Sequence, residues 1–166
     1  MLRTLNFAVT EAERVNLVLD TGELIQGAKI LRANELQVTF ETRRNTSVIS
    51  FNCIDAIAVY INSNIYSDVQ GILEAVFSDN PVLNNSYNEQ FPLEVVFRSG
   101  YSINTTPLGE IQDDGTDFAF VGTVNNDGNV GVVFNSKNIL RYNYNVVREG
   151  IPANPEGGSG GGETSA

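Results

Sequence analysis

Residues 15–22 read Val15-Asn-Leu-Val-Leu-Asp-Thr-Gly22, and residues 93–100 read Leu93-Glu-Val-Val-Phe-Arg-Ser-Gly100. Each stretch spaces apolar side chains as a strand does and then breaks at a polar turn ending in glycine, the residue that adopts positive φ without steric cost. The phrase continues as ELIQGAKIL in the first case and as YSIN in the second. Further on, Phe51-Asn52 recurs as Phe134-Asn135, and FNCIDAIAVY aligns with FNSKNILRYNY so that Ile57 falls on Leu140 and Val59 on Tyr142. An apolar strand, a glycine turn, a long hairpin, Phe-Asn and another strand occur twice in the same order, which predicts duplication of one small β unit.

Apolar runs at 15–19, 36–40 and 46–61, the last interrupted at Asn52 to Asp55, predict about five short bent strands within residues 13–62. Arg43-Arg44-Asn45 reads as a polar hairpin tip. The segment SDVQGILEAVF, 67–77, places Val69, Ile72, Leu73, Val76 and Phe77 on one face at helical spacing; Ser67 with Gln70 reads as a capping box and Asp79-Asn80-Pro81 as a stop. The expected fold is all-β and mainly antiparallel, two tandem small β-barrels joined by one short amphipathic helix. The expected divisions are 1–62 for the first barrel, 63–90 for the linker, 91–148 for the second barrel and 149–166 for a Gly-rich C-terminal arm. That arm holds two prolines and the run GGSGGG, a linker-like composition that buries too little apolar surface to offset the entropy of ordering.

At 166 residues and 42% hydrophobic, the chain is long enough to bury a core. Ten basic against twenty acidic residues leave a net charge of −10, which repels phosphate backbones and makes nucleic acid an unlikely partner. A lone cysteine, Cys53, cannot form an internal disulfide and reads as a small buried hydrophobe among Phe51, Ile54 and Ile57. The N-terminus has no apolar run suited to a signal peptide, and nothing approaches a span of about 20 apolar residues, so a soluble cytoplasmic product with no membrane partner is expected. Twenty asparagines suit a loop-rich β protein, because their amides lock turns without adding charge.

With no histidine in the chain, Ser-His-Asp, Cys-His and Cys/His zinc sites are impossible, and no Gly-rich phosphate loop leads from a strand into a helix. Asp113, Asp114 and Asp117 could in principle hold a hard cation or act in glycoside hydrolysis, but a hairpin turn at Asp114-Gly115 accounts for them more simply. Likewise Asp127-Gly128, within NNDGNVG at 125–131, reads as a hairpin turn rather than a calcium loop. No catalytic, cofactor-binding or metal-binding residue and no small-molecule substrate is assigned. Tyr142 and Tyr144 alternate with asparagines and so share one face of a strand, as core, a carbohydrate platform or a subunit interface, with core or interface favoured; with Arg43 and Arg44 they are the candidate interface residues.

The phrase VNLVLDTGELIQGAKIL, followed by ELQVTF and SVISFNCIDAIAVY, resembles the Sm-like small β-barrel family, in which a helix precedes five bent strands. Gly22 and Gly27 stand where that family places its two glycines, and Thr10 to Arg14 would supply a remnant of its helix. The likeness covers residues 11–62; residues 91–147 match more loosely, because NTTPLGE replaces the second glycine region. It implies a barrel able to join others strand to strand. RNA binding is not carried over, since RANELQ and NCID lack the base-stacking aromatic and the basic-Gly pair found at those places in RNA-binding members.

The expectation is therefore a non-enzymatic structural subunit that acts through subunit contacts as a homo-oligomer. Composition and architecture resemble, in a general way, virion proteins of tailed bacteriophages, which implies a capsid-decoration, neck or tail component lodged among other virion proteins. The alternative is a cytosolic Sm-like or SH3-like module for RNA or peptide.

Overall fold

A computed structural model describes residues 1–113 and 117–144, and the side chains of 1–111 and 119–144. In chain order the elements are α1 (Leu2–Glu11), β1 (Arg14–Leu19), β2 (Leu24–Ala33), β3 (Gln37–Glu41), β4 (Thr46–Ser50), a 3₁₀ turn (Phe51–Cys53) and β5 (Ile54–Tyr60). Then follow α2 (Asn64–Ile72), α3 (Pro81–Glu89), β6 (Leu93–Phe97), β7 (Ser102–Asp113), β8 (Asp117–Val124), β9 (Asp127–Asn135), a second 3₁₀ turn (Ser136–Asn138) and β10 (Ile139–Tyr144). All strands pair antiparallel, in the order β10-β6-β7-β8-β9-β5-β1-β2-β3-β4. The all-β, antiparallel expectation holds, and backbone pairing runs without a break through both halves.

Within that sheet the same unit occurs twice. β5-β1-β2-β3-β4 and β10-β6-β7-β8-β9 have one topology, each with a helix before its first strand and a 3₁₀ turn before its last. Details repeat as well. The turns at Gly22 (φ 84°) and Gly100 (φ 101°) are closed by the same bonds: Leu19 N–H to Glu23 O matches Phe97 N–H to Tyr101 O, and Asp20 N–H to Cys53 O matches Arg98 N–H to Asn138 O. The β1·β5 ladder skips Asp55 between Val18↔Ala56 and Leu19↔Ile54, and the β6·β10 ladder skips Leu140 between Val96↔Arg141 and Phe97↔Ile139. Both unit-leading helices end on a left-handed residue, Ala12 (φ 55°) and Gln90 (φ 58°).

These pairings set a different alignment for the second anchor. Ile57 corresponds to Tyr142 and Val59 to Tyr144, two residues beyond the match that Phe-Asn suggests, because Phe51 opens a 3₁₀ turn whereas Phe134 lies inside β9. A shift of two preserves the face of a strand, so the apolar pattern alone does not detect it.

Three helix expectations change. α1 begins at Leu2 and buries Thr4, Leu5 and Ala8, well before the remnant expected at Thr10–Arg14. α2 starts at Asn64, capped by Ser63, whose Oγ accepts Tyr66 N–H at 3.1 Å, and ends at Ile72. Leu73 turns extended, Glu74 exchanges two 2.9 Å backbone bonds with Glu110, and Val76, expected on the apolar face, is 68% exposed. Asn80-Pro81, read as a stop, is a start: Asn80 Oδ1 caps Leu83 N–H at 3.0 Å and Pro81 occupies the first turn of α3. The linker between units is thus α2 and its extended exit, and α3 leads the second unit.

Two apolar cores lie on opposite faces of the sheet. One holds Leu5, Ala8, Leu17, Ile30, Phe40, Ile57, Ile65 and Val69, together with Ile111, Ala119, Val121 and Val133 from the second unit. The other holds Ala56, Phe77, Leu83, Leu93, Val95, Phe97, Phe120, Val132 and Phe134. Period-2 alternation in β5, β8 and β9 sends successive side chains into different cores. Glycine at 131 permits α2 to lie across the back of β9, since a Cβ there would run into the Tyr66 ring.

Candidate functional site

The central feature is the joint between the units, where β5 pairs with β9 through Ala56↔Phe134, Ile57↔Val133, Ala58↔Val132, Val59↔Gly131 and Tyr60↔Val130. It is the fourth strand of one unit paired with the fifth strand of the other. Its one flank is covered by α2, with Ile65, Tyr66 and Val69 buried, and its other by the aromatic core, where Phe120 and Phe134 stack at 4.9 Å and Phe77 meets Phe120 edge-on at 5.6 Å.

A buried polar cluster closes one end of this joint. Asp55, on the β-bulge and 1% exposed, accepts the Tyr101 hydroxyl at 3.0 Å and the Asn138 amide at 2.8 Å. The Asn138 amide also donates to Asn52 O at 2.7 Å, and Asn135, itself buried, donates to Ile54 O at 3.0 Å. Tyr101 stacks on Phe97 at 4.9 Å, so its hydroxyl arrives on a ring already fixed in the core. Burial pushes the Asp55 carboxyl above the usual carboxylate range, with its two hydrogen bonds opposing, and burial together with the Asp55 charge pushes the Tyr101 hydroxyl up. All four contacts join one unit to the other. Their sequence signal was a lone carboxylate in the apolar run Ile54–Tyr60, which strand periodicity does not mark.

At the two ends of the sheet, β4 and β10 each have an edge with no strand beside it among the described residues. Phe51 N–H donates to Leu36 O and Thr42 N–H to Asn45 O, so the alternation of an antiparallel ladder points the main-chain groups of Thr46, Val48 and Ser50 outward. Val48 is 61% exposed there, whereas its counterpart Val133, inside the joint, is 1% exposed. The four sequence-derived interface residues fall on these two ends. Arg43 and Arg44 form the bend leading into β4 and line an open cleft with Arg14, whose Nη1 donates to Gly27 O at 2.7 Å. Tyr142 and Tyr144 lie half-buried on β10. Tyr142 packs edge-on against Phe120 at 6.1 Å and Tyr144 lies 5.8 Å from Phe91, so both anchor the edge strand to its own core. Burial, aided by Glu110, pushes the Tyr142 hydroxyl up to about 12. Asn143 donates to Glu94 at 2.7 Å and Ser102 to its other oxygen at 2.9 Å, which holds that carboxyl below the usual range and ties β10 to β6 and β7.

The remaining candidates do not converge on chemistry. Cys53 is half-buried rather than enclosed, and desolvation and Asp20 push its thiol up, away from the reactive thiolate. The second hairpin turn is Asn125-Asn126, since Val124 pairs with Asp127 and Asp127-Gly128 opens β9. There Asn125 Oδ1 accepts the Thr106 hydroxyl at 2.6 Å and Asp127 accepts Asn129 N–H at 3.1 Å, so these side chains serve the turn. Asp114 and Gly115 lie outside the described residues, as do the side chains of Asp113 and Asp117 and the arm at 149–166; the backbones of Asp113 and Asp117 pair at the end of the β7·β8 ladder. Among the described residues no three acidic or cysteine side chains gather as a metal site would require, and no helix is long and apolar enough to cross a membrane. Comparison with protein-family models, with curated proteins and with solved structures finds no match to this chain.

Proposed function

We propose that this protein is a non-enzymatic assembly subunit whose chains join head to tail, β10 of one chain pairing with β4 of the next. One observation carries the reading: the chain already contains this contact once. Its internal joint pairs the fifth strand of the first unit with the fourth strand of the second, and the strands left over at the ends of the sheet are a fourth strand, β4, and a fifth strand, β10. Transferring the internal register places Tyr142 opposite Val48, Asn143 opposite Ser47 and Tyr144 opposite Thr46. Outward main-chain groups on β4 then find partners, and exposed Val48 is covered by a tyrosine. A head-to-tail contact of this type closes into a ring or extends into a filament.

Light scattering on the purified full-length chain tests this. The expected mass is a multiple of 18.1 kDa. Val48→Pro removes an outward N–H while sparing the bonds to β3, so it should give a monomer with unchanged melting temperature. A wild type that stays monomeric at about 100 μM, far above the Kd of an ordinary specific interface, rejects the reading, as does a Val48→Pro variant that assembles normally. The setting proposed with this role is the virion of a tailed bacteriophage, carried by composition and architecture. Mass spectrometry of purified particles should find the chain in stoichiometric amount, and its absence rejects the setting.

A further inference from the structure

The two units are alike in backbone but not in the residues at the corner of the joint, and the differences are complementary. Inside the chain, Asp55 on the β5 bulge meets Tyr101 and Asn138, and the turn Asp20-Thr21-Gly22 lies beside the Tyr101 ring, a Cβ on Gly22 falling 4.0 Å from Tyr101 Cδ1. The repeated turn bonds and bulges map each of these positions onto the other unit. Asp55 becomes Leu140, Asp20 becomes Arg98, Tyr101 becomes Glu23 and Asn138 becomes Cys53. When β10 of one chain meets β4 of the next in the internal register, the corner brings Leu140 and the Arg98 turn of the first chain to Glu23 and Cys53 of the second. Arg98 and Glu23 are exposed, Leu140 is 51% exposed and Cys53 is half-buried, so each is accessible for the contact.

Resting on the assembly role proposed above, we infer that the joint between chains is set by a corner contact of its own chemistry, Arg98 against Glu23 of the next chain with Leu140 seated by its Cys53. The internal corner is a buried polar cluster, whereas the external one joins an apolar side chain to an exposed ion pair. The internal joint is therefore held by desolvated hydrogen bonds, and the external joint is sensitive to salt, because an exposed ion pair is screened. The contact also fixes register and direction. A slip of two residues keeps the strand faces but carries Leu140 away from its seat and Arg98 away from Glu23.

Charge exchange tests the inference on the full chain by sedimentation velocity. Arg98→Glu and Glu23→Arg each place like charges at the corner and should weaken self-association about tenfold. The double variant R98E/E23R restores an opposite-charge pair and should return to within about threefold of wild type. Wild-type association should weaken between about 0.05 M and 0.5 M salt, and that of the single variants should weaken less. Circular dichroism melting of each variant checks that the monomer fold is retained. If the wild type does not associate at all, the assembly role fails and this inference with it. If the wild type associates and either single variant matches it, or the double variant is no better than the singles, this inference is overturned and the assembly role stands.

Discussion

The cluster at Asp55 makes a quantitative prediction about how the two units are held together. Tyr101→Phe removes one hydroxyl and leaves the ring stacked on Phe97, so the change is confined to the bond with Asp55. A hydrogen bond to a charged group contributes about 1.5–3 kcal/mol, and here the acceptor is a carboxylate only 1% exposed, with water unable to replace the lost donor. For a chain of this length each kcal/mol lowers Tm by about 2–4 °C, so a fall of about 3–12 °C is expected by calorimetry. The pH dependence follows from the direction of the Asp55 shift. Burial raises its folded pKa above the unfolded value, so its contribution is complete below the unfolded pKa and is lost as pH rises through the folded one. The Tyr101 bond opposes that rise, and removing it raises the folded pKa further. The cost of Tyr101→Phe should therefore be greater at a pH above the carboxyl's titration than at one below it. In a double-mutant cycle with Asp55→Asn the two changes should couple by more than about 0.5 kcal/mol. Additive effects, or a cost that grows toward acid pH, would refute the account of Asp55 as an ionised acceptor joining the units.

Two further outcomes are expected. Gly131→Ala drives a methyl group into the Tyr66 ring and should cost about 1–3 kcal/mol by overpacking, recovered in part by Tyr66→Leu; denaturant melts of the single and double variants read this directly. Tyr142 should remain protonated near pH 11, where an ordinary tyrosine with pKa about 10 is mostly ionised. Its folded value of about 12 means that its stabilisation is intact below about pH 10 and is lost as pH rises toward 12, so absorbance titration of Tyr142→Phe beside wild type should show the loss of one phenol that titrates near pH 12.

The strand-and-turn phrases at 15–22 and 93–100 fall on β1 and β6 with their positive-φ turns at Gly22 and Gly100, because strand periodicity and positive φ are local demands written into local sequence. The same locality explains the errors. α2 read as too long, because Val76 and Phe77 continue a helical apolar face while the chain is pulled straight by the Glu74–Glu110 bridge, a contact made across the fold. Asn80-Pro81 serves equally as a stop or a start when the strand that follows is unknown. Asp55, Tyr101 and Asn138 were passed over, because they are far apart in the chain and meet only when two units dock.

Taken alone, the sequence determined the β class and the mainly antiparallel pairing, each of which follows from side-chain period and turn chemistry acting over a few residues. Tertiary structure decided that the two units share one sheet through β5 and β9, that a carboxylate is buried at their junction, and that β4 and β10 are the edges left unpaired among the described residues. Strand partners are chosen by which backbone edges are brought together and which side chains can be covered there, and neither quantity exists until the chain has folded.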